Sequence, residues 1–276
     1  MTTHSSDQHG GNRAVLLLRL AGPLQSWGQH SNFNRYDTSS EPTKSGVIGL
    51  LAGAEGRTRE KDITDLCRLE LGIRVDQPGS LARDYHTISD YAGRPLPTAA
   101  RTAKRIQKPT SPAKYTQVTQ RYYLEDAVFV AAVYGERSLI SSLADAVRSP
   151  GFPLALGRRA CIPTQPIVLG IDEGPFEPTD GGPLKQALTR VPWQASQHIR
   201  KRAHAVKIDL AATIENRDGD DILHDVPVGT FDPANRCFTT RRVQHTWINA
   251  DTRIPESQIT KRDDANLHDP FALLGW

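Results

Sequence analysis

The chain has no long apolar run. Near its start the longest strongly apolar stretch, Ala14 to Leu18, ends after five residues at Arg19. A membrane-spanning helix needs about 20, so a helical membrane protein is excluded. Cysteine is scarce as well: Cys67, Cys161 and Cys237 lie far apart with no CxxC pair. That spacing argues against a disulfide scaffold and against a clustered-thiolate zinc site. The expectation is three reduced, mostly buried thiols in a cytoplasmic protein. Met1 to Asn12 contains no Lys or Arg and no apolar core, so it reads as a polar tail and not as a signal peptide. HExxH, GxSxG, the EF-hand loop and a G-x-G-x-x-G after the first strand are all missing, and no cofactor or metal is expected.

Acidic residues are missing from two stretches. The net charge is only +3, from 34 basic and 31 acidic side chains. Yet from Tyr91 through Leu124 there is no Asp or Glu, where the chain's average predicts about four. Arg94, Arg101, Lys104, Arg105, Lys108, Lys114 and Arg121 fall in that stretch. Gly181 to Ile208 is also acid-free and holds Lys185, Arg190, Arg200, Lys201, Arg202 and Lys207. The acids gather instead between Asp209 and Asp232, opposed only by Arg217. Such segregation makes a positive face whatever the total.

The 276 residues suit one large domain or two small ones. With 21 glycines and 19 prolines, about one residue in seven, many turns are expected and a helical bundle is disfavoured. Arg13 to Leu20 reads as a central strand. Thr43-Lys44-Ser45 opens a helix with Val47, Ile48, Leu50 and Leu51 at helical spacing, and a second helix is expected over 59–69. Leu71, Ile73 and Val75 alternate as in a strand. Residues 127–133 form a strand apolar on both faces, followed by a helix with Leu139, Ile140, Leu143, Ala144 and Val147 on one stripe. Ile167–Leu169 is a last strand. The order is β-α-β-β-α-β, the split pattern of an α+β, ferredoxin-like fold over 13–170. Between its second and third strands about 45 residues intervene, where a hairpin takes two to five, and they carry the basic stretch. An ordered arm folding back onto the domain is expected there. Residues 172–182 read as a linker, and 183–276 as a small β-rich extension with a short helix at 184–188 and strands near 206–214 and 241–248. Residues 218–225 read as a polar loop.

Several segments hold candidate chemistry. Gln25 and Ser26 offer hydrogen bonds, and Trp27 either stacks on a base or packs in the core beside Leu24. Lys44 and Ser45 at a helix start suit a phosphate, or Thr43 and Ser45 merely cap the helix. No GxxxxG precedes Lys44, so this is not a nucleotide-hydrolysing loop. Tyr85 and His86 open the long insertion and raise metal-independent RNA cleavage, with Lys104 or His245 as the further group such chemistry needs. Arg158 and Arg159 present two guanidiniums shaped for phosphate. Arg200-Lys201-Arg202, flanked by His198 and His204, is either a solvated face or a phosphate contact.

Five blocks, in order, strongly resemble the CasD family, the type I-E Cascade subunits of CRISPR defence. They are Leu18-Arg-Leu-Ala-Gly-Pro-Leu-Gln-Ser-Trp-Gly28, Pro42-Thr-Lys-Ser-Gly-Val-Ile-Gly-Leu-Leu51, Asp84-Tyr-His-Thr87, Arg121-Tyr-Tyr-Leu124 with Asp126-Ala127, and Leu156-Gly-Arg-Arg-Ala-Cys161. They span residues 14 to 170, and the last third carries little to match. The resemblance implies a RAMP-superfamily protein whose thumb is the basic insertion, about 87–120. It implies a subunit that caps the effector complex and grips the 5′ handle of crRNA without cleaving it. The implied neighbours are a CasC backbone subunit and the large CasA subunit, with target DNA reached through the complex. The candidate handle contacts become Gln25, Ser26, Trp27, Lys44, Ser45, His86, Arg121, Arg158 and Arg159. Arg101, Lys104, Arg105 and Lys108 are assigned to the thumb. The alternative is an endoribonuclease acting on CRISPR repeat RNA, and a third reading is a purely architectural protein.

Overall fold

In the computed structural model, residues 12–28, 31–32, 34–90, 103, 115–203 and 205–254 are described. Seven strands form one sheet: β1 (Arg13–Ala21), β5 (Glu70–Gln77), β8 (Val128–Glu136), β9 (Val168–Asp172), β10 (Lys207–Glu215), β11 (Asp221–Val228) and β12 (Cys237–Asp251). The short strands β2 (Leu24–Gln25), β3 (Ser31–Asn32) and β4 (Arg35–Tyr36) join β6 (Ser80–Asp90) and β7 (Tyr115–Glu125) in a second sheet. The helices are α1 (Lys44–Ala54), α2 (Thr64–Cys67), α3 (Arg137–Arg148), α4 (Gly182–Arg190) and α5 (Gln197–Arg200). None of them is long and apolar enough to cross a membrane.

The large sheet runs β11-β12-β10-β5-β8-β1-β9, every neighbouring pair antiparallel. β8 lies between β1 and β5, and β1 lies between β8 and β9. Each β-α-β unit, β1-α1-β5 and β8-α3-β9, is therefore split by a strand of the other. Residues 59–69, expected as a helix, contribute only the single turn α2. Residues 218–225, expected as a polar loop, instead lead into β11, whose Asp225 points inward.

The central strands are apolar on both faces because both faces are covered. On one side Leu16, Leu18, Leu20, Phe129, Ala131 and Val133 meet Val47, Ile48 and Leu51 of α1 and the Ile140, Leu143, Ala144 and Val147 stripe of α3. On the other, Val15, Leu17, Val130 and Ala132 meet Leu184, Ala187 and Leu188 of α4, with Ala212, Ile214 and Ile248. The C-terminal residues thus extend the first sheet through β10 on β5 and roof its second face with α4. A buried arginine locks that roof. Arg74 is paired with Asp76 at 2.7 and 2.8 Å, and it donates to the carbonyls of Leu188, Val191 (2.6 Å) and Pro192 (3.1 Å). The Leu188 and Val191 carbonyls are among the acceptors that the end of α4 leaves without helical partners.

Helix α1 has three glycines, weak helix formers, and is held by packing. A Cβ on Gly46 would come within 2.6 Å of the Trp27 ring, so only glycine lets helix and indole approach so closely. Thr43 caps the helix by accepting from Gly46 N at 3.2 Å.

Candidate nucleic-acid interface

Residues 25–27 face inward. Gln25, Ser26 and Trp27 are at most 1 % exposed. Gln25 Nε2 donates to the carbonyls of Leu20 (3.0 Å) and Ala127 (2.7 Å), while its Oε1 accepts from Trp27 Nε1 at 3.0 Å. Ser26 Oγ donates to Tyr122 O at 3.0 Å. The core reading of Trp27 prevails over base stacking: neither ring face reaches solvent. These three side chains tie β1 and β7 to the turn ahead of β8 and would act on a ligand only by positioning its neighbours.

The start of α1 does attract an anion, but the chain supplies its own. Lys44 N donates to Asp225 Oδ2 at 2.7 Å, and Lys44 Nζ donates to both Glu215 oxygens at 2.9 Å. Asp225 also accepts from Arg241 Nε at 2.7 Å and Nη2 at 3.0 Å. Lys44, Asp225 and Arg241 are all buried, so the donors of Lys44 are taken by carboxylates of this chain and not offered to a phosphate. Ser45 is half-buried, its hydroxyl 3.3 Å from that of Thr43. The acid-rich segment thus neutralises this helix end from inside.

What remains exposed gathers at the base of the β6–β7 hairpin. The register pairs Arg83 with Tyr122, Asp84 with Arg121, Tyr85 with Gln120 and His86 with Thr119. Because side chains alternate along a strand, Tyr85 and His86 project from opposite faces of the hairpin. Tyr85 is 65 % exposed, and His86 is half-exposed with Nδ1 3.8 Å from Asp84 Oδ2. His245 is elsewhere, between Thr213 Oγ1 and Asp221 Oδ2 at 3.1 Å each. That hydrogen bond holds the Asp221 carboxyl below its ordinary range.

On the other side of β7, β4 runs parallel, pairing Arg35 with Gln120 and Tyr36 with Arg121. Guanidiniums stack on the tyrosines: Arg35 over Tyr122 at 5.0 Å, Arg121 over Tyr36 at 5.6 Å, Arg158 over Tyr123 at 5.1 Å. Arg158 is a clamp. It donates to the carbonyls of Tyr122 (3.3 Å), Tyr36 (2.8 Å) and Asp37 (3.2 Å), so its donors are turned inward and the expected two-arginine phosphate fork is not formed. Arg159 beside it is exposed, with no partner among the described residues. The loop holding both depends on Gly157 at φ +88, where a Cβ would lie 1.8 Å from Ser26 O. Arg101, Lys104, Arg105 and Lys108 lie outside the described residues. No group of three or more His, Cys, Asp or Glu among the described residues could hold a metal ion.

The family profile described as CRISPR-associated protein (Cas_Cas5) matches residues 15–244. This chain belongs to the CRISPR-associated Cas5 family. The Cas5 chain is 34% identical over 177 residues to the CRISPR system Cascade subunit CasD of Escherichia coli (strain K12), covering 57% of this chain and 71% of that protein. It superimposes with a TM-score of 0.66 and 34% identity on a chain of a solved CRISPR RNA-guided surveillance complex, covering 86% of this chain and 91% of the other. A crystal structure of a Cas protein matches with a TM-score of 0.60 and 33% identity, over 88% and 98% of the two chains. Within the family this chain is CasD-like.

The Cas5-family profile spans all of the surface just described, from Arg35 to Arg159. Arg35, Tyr36 and Arg83 went unread in the sequence. A two-residue strand such as β4 has no periodicity to recognise, although an Arg-Tyr pair in a polar loop ahead of an arginine- and tyrosine-rich strand was a usable signal.

Proposed function

We propose that this Cas5-family chain is a Cascade subunit that holds the 5′ handle of crRNA on the β4–β7–β6 surface and does not cut it. The observation that carries this is the layer of guanidiniums and tyrosines around Arg121 and Tyr36, with Arg159 exposed beside it and without a partner among the described residues. Single-stranded RNA offers splayed bases for stacking and phosphates for arginine, and this surface has both kinds of partner. Similarity to a CasD subunit and to a chain of a surveillance complex supports the assembly. The split β-α-β sheet supports a ferredoxin-like RAMP core, with the β6–β7 hairpin as the root of a thumb that reaches along the guide. CasC and CasA are the proposed neighbours, with target DNA met through the complex.

Cleavage through Tyr85 and His86 is disfavoured by their alternation, which denies them a common scissile phosphate. The test incubates the full chain with labelled repeat RNA in EDTA. Retention without cleavage is expected, and Arg159→Ala weakens retention roughly tenfold through loss of a charge-assisted contact. A single cut that disappears in His86→Ala would overturn the binding reading.

A further inference from the structure

The acid-free stretch 181–208 supplies a second basic surface that handle binding does not use. Its backbone is fixed. Trp193 and Ala195 are buried with Leu210 and Ala250, and Ile199 and Ala203 pack against them. Trp193 Nε1 donates to Asp76 O at 2.8 Å, Gln194 N to Asp76 Oδ2 at 2.5 Å, and Ser196 N to Gln77 Oε1 at 3.0 Å. The following turn closes with Arg200 N on Ser196 O, Lys201 N on Gln197 O and Arg202 N on Ile199 O, each at 3.0 Å. Arg200, Lys201 and Arg202 are therefore exposed on a braced turn, not on a loose tail.

A fourth cation comes from β1. Arg19 Nη1 donates to Gln194 Oε1 and its Nη2 to Pro166 O, both at 3.3 Å, while its Nε is buried with no acceptor among the described residues. Burial first, and then the nearby charge of Arg200, push the Arg19 guanidinium below its usual range. Among the described residues no carboxylate forms an ion pair with Arg19, Arg200, Lys201 or Arg202. Some cations elsewhere in the chain are paired, as Lys44 is with Glu215 and Arg57 with Asp65. Four cations held together without a counter-charge by a rigid backbone suit a ligand that brings a row of anions.

We propose that Arg19, Arg200, Lys201 and Arg202 form a second nucleic-acid surface, distinct from the one beside Arg159, that takes the sugar-phosphate backbone of a strand. It goes beyond handle binding and stands whether or not that reading holds.

The experiment counts strands. The full chain is mixed with a short single-stranded RNA or a short DNA duplex, and stoichiometry is read by native mass spectrometry and affinity by anisotropy across a salt series. The wild type is expected to bind two oligonucleotides. Arg200→Ala/Lys201→Ala/Arg202→Ala should bind one, with the single-strand salt slope shallower by about two, since each lost phosphate contact removes roughly 0.7. Arg159→Ala should weaken the other strand roughly tenfold and leave this one unchanged. Arg59→Ala/Lys61→Ala/Arg68→Ala removes the same charge from exposed positions elsewhere and should keep both. Loss of only the RNA arm identifies the guide as the strand, and loss of only the duplex arm identifies target DNA. No strand on the wild-type chain, or a wild-type strand count that the Arg200→Ala/Lys201→Ala/Arg202→Ala variant keeps, overturns the proposal. So does an equal loss in the control triple variant, or an unchanged slope in the Arg200–Arg202 variant, which would leave the turn to an acidic protein partner.

Discussion

Replacing Trp27 by Phe separates two accounts of one residue. Phe keeps an aromatic ring but removes the indole N–H that fills Gln25 Oε1 at 3.0 Å. Gln25 is itself fully buried, and its Nε2 is already spent on Leu20 and Ala127, so the orphaned oxygen has nowhere to turn. A buried acceptor left without a donor costs about 1–3 kcal/mol. The missing part of the indole leaves a gap of a few carbons against Gly46, worth about 1–2 kcal/mol at roughly 0.8 per buried methylene. The total of about 2–5 kcal/mol is a large share of the roughly 5–15 kcal/mol that holds a typical domain. Urea unfolding followed by far-UV circular dichroism should show a lower midpoint at unchanged slope. RNA affinity, measured well inside the folded baseline, should change less than twofold. An unmoved midpoint together with a tenfold loss of RNA affinity would refute the burial argument and restore base stacking.

Other consequences are equally specific. Asp225→Ala leaves Arg241 and the first N–H of α1 without their shared carboxylate, and should cost about 3–5 kcal/mol, as removal of one partner of a buried pair does; a thermal melt reads it. Burial pushes the Glu41 carboxyl above its ordinary range, so the folded chain holds that proton more tightly than the unfolded one. Stability therefore falls as pH rises from the ordinary carboxyl range of about 4 through the raised folded value. Glu41→Gln keeps an acceptor for Thr213 Oγ1, 3.0 Å away, and removes the titration. Its stability relative to wild type should grow across that window and show no growth below it, as denaturant melts at several pH values will report. Gly157→Ala forces a Cβ toward Ser26 O, and should lower both the melting temperature and RNA retention by displacing the loop that bears Arg158 and Arg159.

Much of the scaffold was legible because its signals are local. The apolar runs of β1 and β8 and the Ile140–Val147 stripe all led to the observed elements. What failed to read was long-range. The start of α1 does want an anion, but the donor of that anion, Asp225, lies 181 residues away. Asp225 and Pro227 within Asp221–Val228 disguised β11, because the Asp225 carboxylate is buried against Arg241 and not offered to solvent. Arg158 was read with the right chemistry and the wrong direction: its guanidinium forks onto three backbone carbonyls. Adjacent Tyr85 and His86 suggested one site in the sequence, and strand alternation parts them.

Photo-crosslinking within the assembled, guide-loaded complex tests the central claim most directly. With 4-thiouridine placed through the guide's 5′ end, crosslinked peptides identified by mass spectrometry should come from residues 35–37, 80–90, 115–125 and 156–162. Crosslinks confined to other peptides of this chain, or to other subunits alone, would contradict the assignment of that surface to RNA.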